Sequence, residues 1–276
     1  MTNATIRSVN WHVTMNCNYN CRFCFYKNMS GEFKDIEKGR QKLETLKAKG
    51  IEKINFAGGE PLLYKNLNQL LKMAKDIGFT VSIVTNAALL NEKNLREMSE
   101  YVDWVGISVD SVDEEIERQL GRGNGNHVEH VRKVCKLVHE NGMKLKINST
   151  ITKINYSEDM KPFILSLAPD RWKVFQILHM KGQNDDALDL TLTSEEFNVF
   201  RSLNGGLMLN NGSYPTFESA EDMLNSYFII GPDGNILLSK GNQRSTIPFE
   251  SLENMELIDL VDEDKYLGRG GNYDWN

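Results

Sequence analysis

Apolar and polar residues alternate near the start of the chain. Val9, Trp11 and Val13 interleave with Asn10, His12 and Thr14, a period of two that predicts a strand with one face on a core. The period then lengthens. A charged helix is expected over about 35–49, stopped by Gly50; a strand over 53–56 runs into Ala57-Gly58-Gly59-Glu60-Pro61; a helix over about 67–77 stops at Gly78. The unit returns as a strand at 80–84 with a helix at about 91–101. It returns again as a strand at 104–108, followed by a polar, glycine-rich loop and a helix at about 126–140 closed by Asn141-Gly142. Two more strands are expected at 144–149 and 171–178, and a helix after the capping box Thr193-x-x-Glu196.

Repeated strand–helix units imply parallel strands joined by right-handed crossovers, and six of them suit a partial (β/α)6 TIM-like barrel better than a closed eight. In such a barrel function gathers at the C-terminal ends of the strands. Past residue 204 the pattern changes to glycine-rich loops and a hairpin, 227–230 and 235–238, around Gly231-Pro232-Asp233-Gly234. The expected organisation is therefore a partial barrel over 1–204 and a C-terminal cap over 205–276 that closes the substrate site.

Bulk composition narrows the function. In 276 residues, 40% are hydrophobic and 25% charged, ordinary values for a globular α/β protein. No run approaches the ~18 continuous apolar residues of a membrane span. A formal net charge of −6 argues against a nucleic-acid polymer as main partner, so any basic site must be local. The start Met-Thr-Asn-Ala carries no charged-then-apolar leader, which points to the cytoplasm, where thiolates stay reduced.

Candidate chemistry begins directly after the first strand. Cys17, Cys21 and Cys24 fall within eight residues, and three thiolates on a short loop can hold three irons of a 4Fe-4S cluster while leaving the fourth open to a small molecule. Structural zinc would need a fourth ligand with matching spacing, and a disulfide framework would leave a cysteine over. Cys135 shares a helical face with Val128, Val131 and Val138 and reads as core. The histidines, His12 included, read as structural. In Gly58-Gly59-Glu60-Pro61 two glycines allow close approach of a ligand, and Glu60 can accept from an ammonium; an ordinary tight turn is the alternative. Asn86 and Ser108 stand at equivalent strand ends, with capping as their alternative role. Lys53 with Asn55, Lys146 with Asn148, and Arg171 with Lys173 each oppose apolar neighbours on their strands. Four cations on one side must face water or an anionic ligand.

The spacing Cys-x3-Cys-x2-Cys, with an aromatic before the last cysteine, resembles the signature of the radical S-adenosylmethionine (SAM) enzymes. Longer blocks are similar to the viperin family: Ser8-Val9-Asn10-Trp11-His12, Gly121-Arg122-Gly123, Arg171-Trp172-Lys173-Val174-Phe175-Gln176 and Arg269-Gly270-Gly271-Asn272-Tyr273. The likeness runs from about Ser8 to Trp275. It implies a lyase that converts a ribonucleoside triphosphate to its 3′-deoxy-3′,4′-didehydro analogue, a chain terminator serving antiviral or antiphage defence. Carried over by position, Cys17, Cys21 and Cys24 would hold the cluster. Gly58, Gly59, Glu60, Ser108 and Arg122 would contact SAM, with Asn86 and Asn148 beside them. Asn10, Lys53, Lys146, Arg171, Lys173 and Tyr227 would face the nucleotide, Tyr227 also as a catalytic residue that orients the sugar or relays hydrogen. The resemblance further implies hydrogen abstraction from ribose C4′ by a 5′-deoxyadenosyl radical, loss of the 3′-hydroxyl as water, and an external electron donor for one further reduction. The animal proteins' amphipathic N-terminal helix has no counterpart here, so no membrane partner is expected. Ala57 stands where those proteins have Ser, and 240–248 departs from their basic stretch. Rival readings are a cyclase acting on GTP, a peptide modifier, for which no cysteines remain to hold an auxiliary cluster, and a non-catalytic iron-sulfur protein.

Overall fold

Alternation near the N-terminus becomes β1 (Ser8–Thr14), from which one ten-stranded sheet extends in both directions. The structure, a computed structural model, describes residues 6–273 and 275. On one side of β1 lie β2 (Lys53–Gly58), β3 (Thr80–Thr85), β4 (Trp104–Ser108), β5 (Lys144–Ile151) and β6 (Arg171–Gln176), all parallel and in chain order. The expected partial barrel is present, and its sheet stays open.

The crossovers are helical where the 3.6-residue period predicted them: α1 (Ile36–Ala48), α2 (Leu67–Ile77) and α3 (Glu92–Met98). A short α4 (Glu114–Gln119) then precedes α5 (His127–Glu140), α6 (Lys161–Leu167) and α7 (Ser194–Asn204). Local chemistry sets their ends. Asp35 caps α1 by accepting from Lys38 N, Gly78 ends α2 in the left-handed region at φ 93°, and Thr193 and Glu196 form the expected reciprocal capping box of α7. Helices α4 and α6 were not expected; at six and seven residues they are too short to show a helical period.

Beyond 204 the chain does more than form a hairpin. β7 (Thr216–Glu218) joins β6 in parallel, while β8 (Ile229–Ile230) joins the far side of β1 in parallel and continues through antiparallel β9 (Ile236–Lys240) and β10 (Gln243–Ile247). The predicted 227–230 strand contracts to two residues, and a third strand follows the hairpin. Two further short helices, α8 (Ala220–Met223) and α9 (Glu263–Gly268), lie in the same segment. The C-terminal segment thus supplies both edges of the sheet.

One face of the sheet is apolar and packs under the helices. Val9, Trp11, Val13, Ile54, Phe56, Leu145, Ile147, Trp172 and Val174 are all fully buried. Trp11 stacks on Phe56 at 6.0 Å between centroids and meets Phe33 edge-on at 4.9 Å. Each such side chain gains about 1.5–3 kcal/mol from burial. Cys135 sits in this core, as its helical face predicted. The opposite face is polar and turns to a cavity. Among the described residues no helix is long and apolar enough to cross a membrane.

Candidate functional site

The cysteine loop leaves the C-terminal end of β1 and is gripped by glycines. Gly58 has φ 146°, and a Cβ there would lie 2.1 Å from the Thr14 carbonyl oxygen; at Gly59 a Cβ would lie 2.3 Å from that of Asn16. No other residue fits at either position. Gly59 N donates to Thr14 O at 2.8 Å and Glu60 N to Asn16 O at 2.7 Å, binding this turn to the loop. From the far side, Gly121 at φ 80° would place a Cβ 2.2 Å from Asn20 O, and Arg22 N donates to Leu120 O at 2.9 Å. Burial pushes the Cys21 thiol up to about 12 and raises Cys17 and Cys24 as well.

The residues expected around SAM knit this end together. Glu60 is buried; its carboxylate accepts from Thr85 Oγ1 at 2.7 Å, Asn86 N at 2.8 Å and Leu62 N at 3.1 Å, tying β2 to the end of β3. Burial raises its pKa while these donors lower it. Asn86 Nδ2 donates to Asn18 Oδ1 at 2.8 Å and approaches Cys17 Sγ at 3.9 Å. His127 Nε2 is 2.9 Å from the Ser108 carbonyl, and its Nδ1 is 3.3 Å from the Tyr19 hydroxyl. Burial, then Arg122, lowers His127 to about 3, so the ring is neutral and serves as a strut between β4 and the loop. Arg122, also buried, donates to Asp110 at 2.6 Å and lies 3.7 Å from Glu117.

Between this end and the polar strand faces lies a cavity of about 280 Å³. Ser108, Arg122 and Asn148 line it; Gly58, Gly59, Glu60 and Asn86 do not, standing in the turns beside the loop. Asn10, Lys53, Lys146, Lys173 and Tyr227 also line it. Asn55 donates to Asn10 Oδ1 at 2.7 Å, and the buried Oδ1 of Asn148 and Oδ1 of Asn55 have no partner.

The four cations share the polar face, yet three have protein partners. Lys53 lies in an aromatic box, 4.6 Å from the Trp104 ring centroid, 4.8 Å from Tyr273 and 5.5 Å from Trp275, and donates to the Tyr273 hydroxyl at 2.5 Å. Arg171 is covered by Tyr273, whose centroid is 3.6 Å away, and donates to Gly270 O at 3.1 Å, so it does not line the cavity. Lys173 pairs with the buried Glu218, which also accepts from the Tyr227 hydroxyl. Lys146 makes no hydrogen bond among the described residues and opens to the cavity. The cations therefore coexist without an added polyanion because Glu218 offsets one charge and burial weakens others. Burial, then the neighbouring cations, lowers Lys53 to about 6 and Lys146 to about 8; burial lowers Lys173 to about 7.

Sequence reasoning missed several of these groups. Glu218 and Arg244 come from segments without periodicity, and Tyr273 closes the block that begins at Arg269. Arg269 lies in a block noted for resemblance, and its guanidinium donates to Ser226 O at 2.9 and 2.7 Å while stacking 3.7 Å over Tyr227. His12, read as structural, lines the cavity.

The Radical SAM superfamily matches residues 11–167. An S-adenosylmethionine-dependent nucleotide dehydratase of Thermoplasmatales archaeon (strain ISO4-H5) is 38% identical over 270 residues, covering 98% of this chain and 96% of that protein. The S-adenosylmethionine-dependent nucleotide dehydratase RSAD2 of Siniperca chuatsi is 35% identical over 99% of this chain and 80% of its own length. Among solved structures, Streptococcus suis SuiB bound to S-adenosylmethionine shares the fold with a TM-score of 0.70 at 18% identity, over 96% of this chain and 67% of that one. The cysteine loop, its glycine clamps and the whole-length similarity lead to one conclusion: the chain belongs to the radical SAM superfamily and, within it, to the S-adenosylmethionine-dependent nucleotide dehydratases.

Proposed function

We propose that this protein removes water from a ribonucleoside triphosphate, giving the 3′-deoxy-3′,4′-didehydro analogue, in antiviral or antiphage defence. The carrying observation is the single cavity that reaches from beside the cysteine loop to the Lys53, Lys146 and Lys173 side chains. That breadth suits an elongated anion with its phosphates at the cations and its sugar beside the Asn10–Asn55 pair. It favours a nucleotide over a peptide, which would need an open groove and no cation cluster.

The loop fits a 4Fe-4S cluster. No group of three or more His, Cys, Asp or Glu side chains among the described residues converges as a single metal ion would need. Three thiols spaced along a clamped loop suit a cluster in which each iron takes its own thiolate. Cys17, Cys21 and Cys24 would hold it, and the turn at Gly58, Gly59 and Glu60, with Ser108, Arg122, Asn86 and Asn148, would hold SAM. When bound, cluster and SAM supply hydrogen-atom abstraction driven by an external one-electron donor.

The chain's own residues bind and orient. Lys146, Lys173 and Arg269 would take the phosphates, with Lys53 beside them and Arg171, behind Tyr273, adding its charge at longer range; Asn10 and Asn55 would fix the ribose. Tyr227, held by Glu218 and flanked by Arg269, would direct the sugar and keep a hydroxyl proton at one atom. We place the boundary of the closing segment at 205, because Tyr227, Arg244, Arg269 and Tyr273 all come from beyond it. We further place the protein in the cytoplasm, acting on free nucleotides and not on a nucleic-acid polymer or membrane. The test is mass analysis of reduced enzyme incubated with SAM and each triphosphate. A product 18 mass units below a substrate supports the reading (one water lost, about 18 Da); SAM cleavage without any such product would overturn it, and absence of SAM cleavage would leave an iron-sulfur protein without this catalysis.

A further inference from the structure

Three buried polar atoms on one wall of the cavity make no well-formed hydrogen bond: Nδ1 of His12, the hydroxyl of Tyr26 and Nε of Arg244, the Arg244 guanidinium approaching the Tyr26 hydroxyl without satisfying either atom. All three residues line the cavity, and Tyr26 touches both of the others. The His12 and Tyr26 ring centroids lie 4.4 Å apart at 70°, and the Arg244 guanidinium stacks 3.9 Å from the Tyr26 centroid. A second guanidinium contact, from Nη2 to Phe25 O, is long at 3.4 Å. Unpaired buried polar groups are costly, and a group of three calls for a ligand that completes them.

Their position says which part of a ligand. On the β1–β2 ladder Ser8 pairs with Lys53, Asn10 with Asn55, and His12 with Ala57. His12 thus stands four rungs, about 13 Å, along the ladder from Lys53. Arg244 comes from β10, at the sheet edge opposite β6 and β7. Cations mark one end of the cavity, the Asn10–Asn55 pair its middle, and the unpaired trio the other end. A nucleoside triphosphate has the same order: phosphates, ribose, base.

We propose that His12, Tyr26 and Arg244 form the nucleobase subsite, and that Arg244 selects bases presenting a carbonyl oxygen at that edge; the inference rests on the nucleotide reading above. A guanidinium only donates. Guanine O6 or uracil O4 accepts from it, whereas the exocyclic amino group at the same place on adenine or cytosine would meet it donor to donor. His12 is neutral, held far below the usual range by burial and then by Arg244, so its ring carries one donor and one acceptor. With the Tyr26 hydroxyl it can accept from the ring N–H of guanine or uracil, and Phe25 offers a flat wall beside the guanidinium at 5.5 Å.

The test is equilibrium binding by the cluster-loaded protein without reductant, so that no turnover intervenes. GTP or UTP should bind about tenfold or more tightly than CTP and ATP. Arg244→Gln, whose amide can accept from an amino group, should narrow or invert that ranking while inorganic tripolyphosphate and SAM bind as in wild type. Tyr26→Phe, a smaller change, should weaken GTP or UTP several-fold and again spare tripolyphosphate. Equal loss of tripolyphosphate would make Arg244 a phosphate ligand, loss of SAM a cofactor ligand, and an unchanged base ranking in both variants a packing residue; each result overturns the subsite. If wild type binds no triphosphate, the nucleotide reading falls first.

Discussion

Lys53 shows how far a residue's surroundings alter its chemistry. Its ammonium is boxed by three aromatic rings and faces neighbouring cations, and its pKa falls to about 6 with burial as the first cause. Between about 6 and the ordinary lysine value the unfolded chain binds a proton that the folded chain lacks, so this group makes the empty protein more stable as pH rises through that window. A bound polyanion reverses the effect by favouring the charged form. Triphosphate binding at pH 7.5 should therefore take up protons, and the uptake should be smaller in Lys53→Met. Calorimetry in buffers of different ionisation heat measures this; equal uptake in both proteins would remove Lys53 from the anion site. Glu218 is the complementary case. Glu218→Gln leaves Lys173 buried without its counter-ion, so the empty variant should lose about 3 kcal/mol or more of stability. Triphosphate should restore much of it, giving a larger thermal shift than in wild type. A shift no larger would mean that Lys173 does not face the phosphates. The cations were legible from alternation alone, because a charged residue every second position on a strand is a face. Their partners were not. Glu218 sits on a three-residue strand and Tyr273 outside any element, where no period forms.

Long elements were readable and short ones were not. Strands β1–β6 and helices α1, α2, α5 and α7 carry enough residues to show a period, and their caps and stops coincide with the predicted glycines and capping residues. Strands β7 and β8, at three and two residues, exist because of the neighbours they pair with. Gly-Gly-Glu-Pro was legible as a close approach, but what approaches is the chain's own backbone at Thr14 and Asn16. The Glu60 carboxylate accepts from Thr85 of β3 and from the Asn86 and Leu62 backbone, which fixes the turn against β3. The turn's immediate role is thus to shape the cysteine loop. Gly59→Ala should push that loop off its clamp and lower iron per chain after cluster reconstitution, with the circular dichroism of the barrel retained. Cys135→Ala, which trims a core side chain far from the loop, should keep full iron content. Iron retained in the first variant or lost in the second would contradict this assignment.

At the scale of the whole molecule, the C-terminal segment extends the open sheet at both edges, and it delivers groups to both ends of the cavity. Its β7 brings Glu218 beside β6; its β10 brings Arg244 beside the cysteine loop; its last described residues bring Arg269, Tyr273 and Trp275 across the cations. Tyr273 is the keystone of that closure. It accepts from Lys53, covers Arg171 at 3.6 Å, and meets the Trp104 and Trp275 rings edge-on at 6.0 and 5.2 Å. Two cation–π contacts and two aromatic pairs are together worth about 2–4 kcal/mol, enough to hold the closing residues down in the folded protein. Tyr273→Ala should release them. Hydrogen exchange over 266–273 should then speed up while β1–β6 stay protected, and triphosphate affinity should fall about tenfold or more as the wall behind Lys53 and Arg171 is lost. SAM binding should be unchanged, because Ser108, Arg122 and the glycine turn do not touch this tail. Unchanged exchange over 266–273, or an equal loss of SAM and triphosphate binding, would show that the tail does not close the anion end of the cavity.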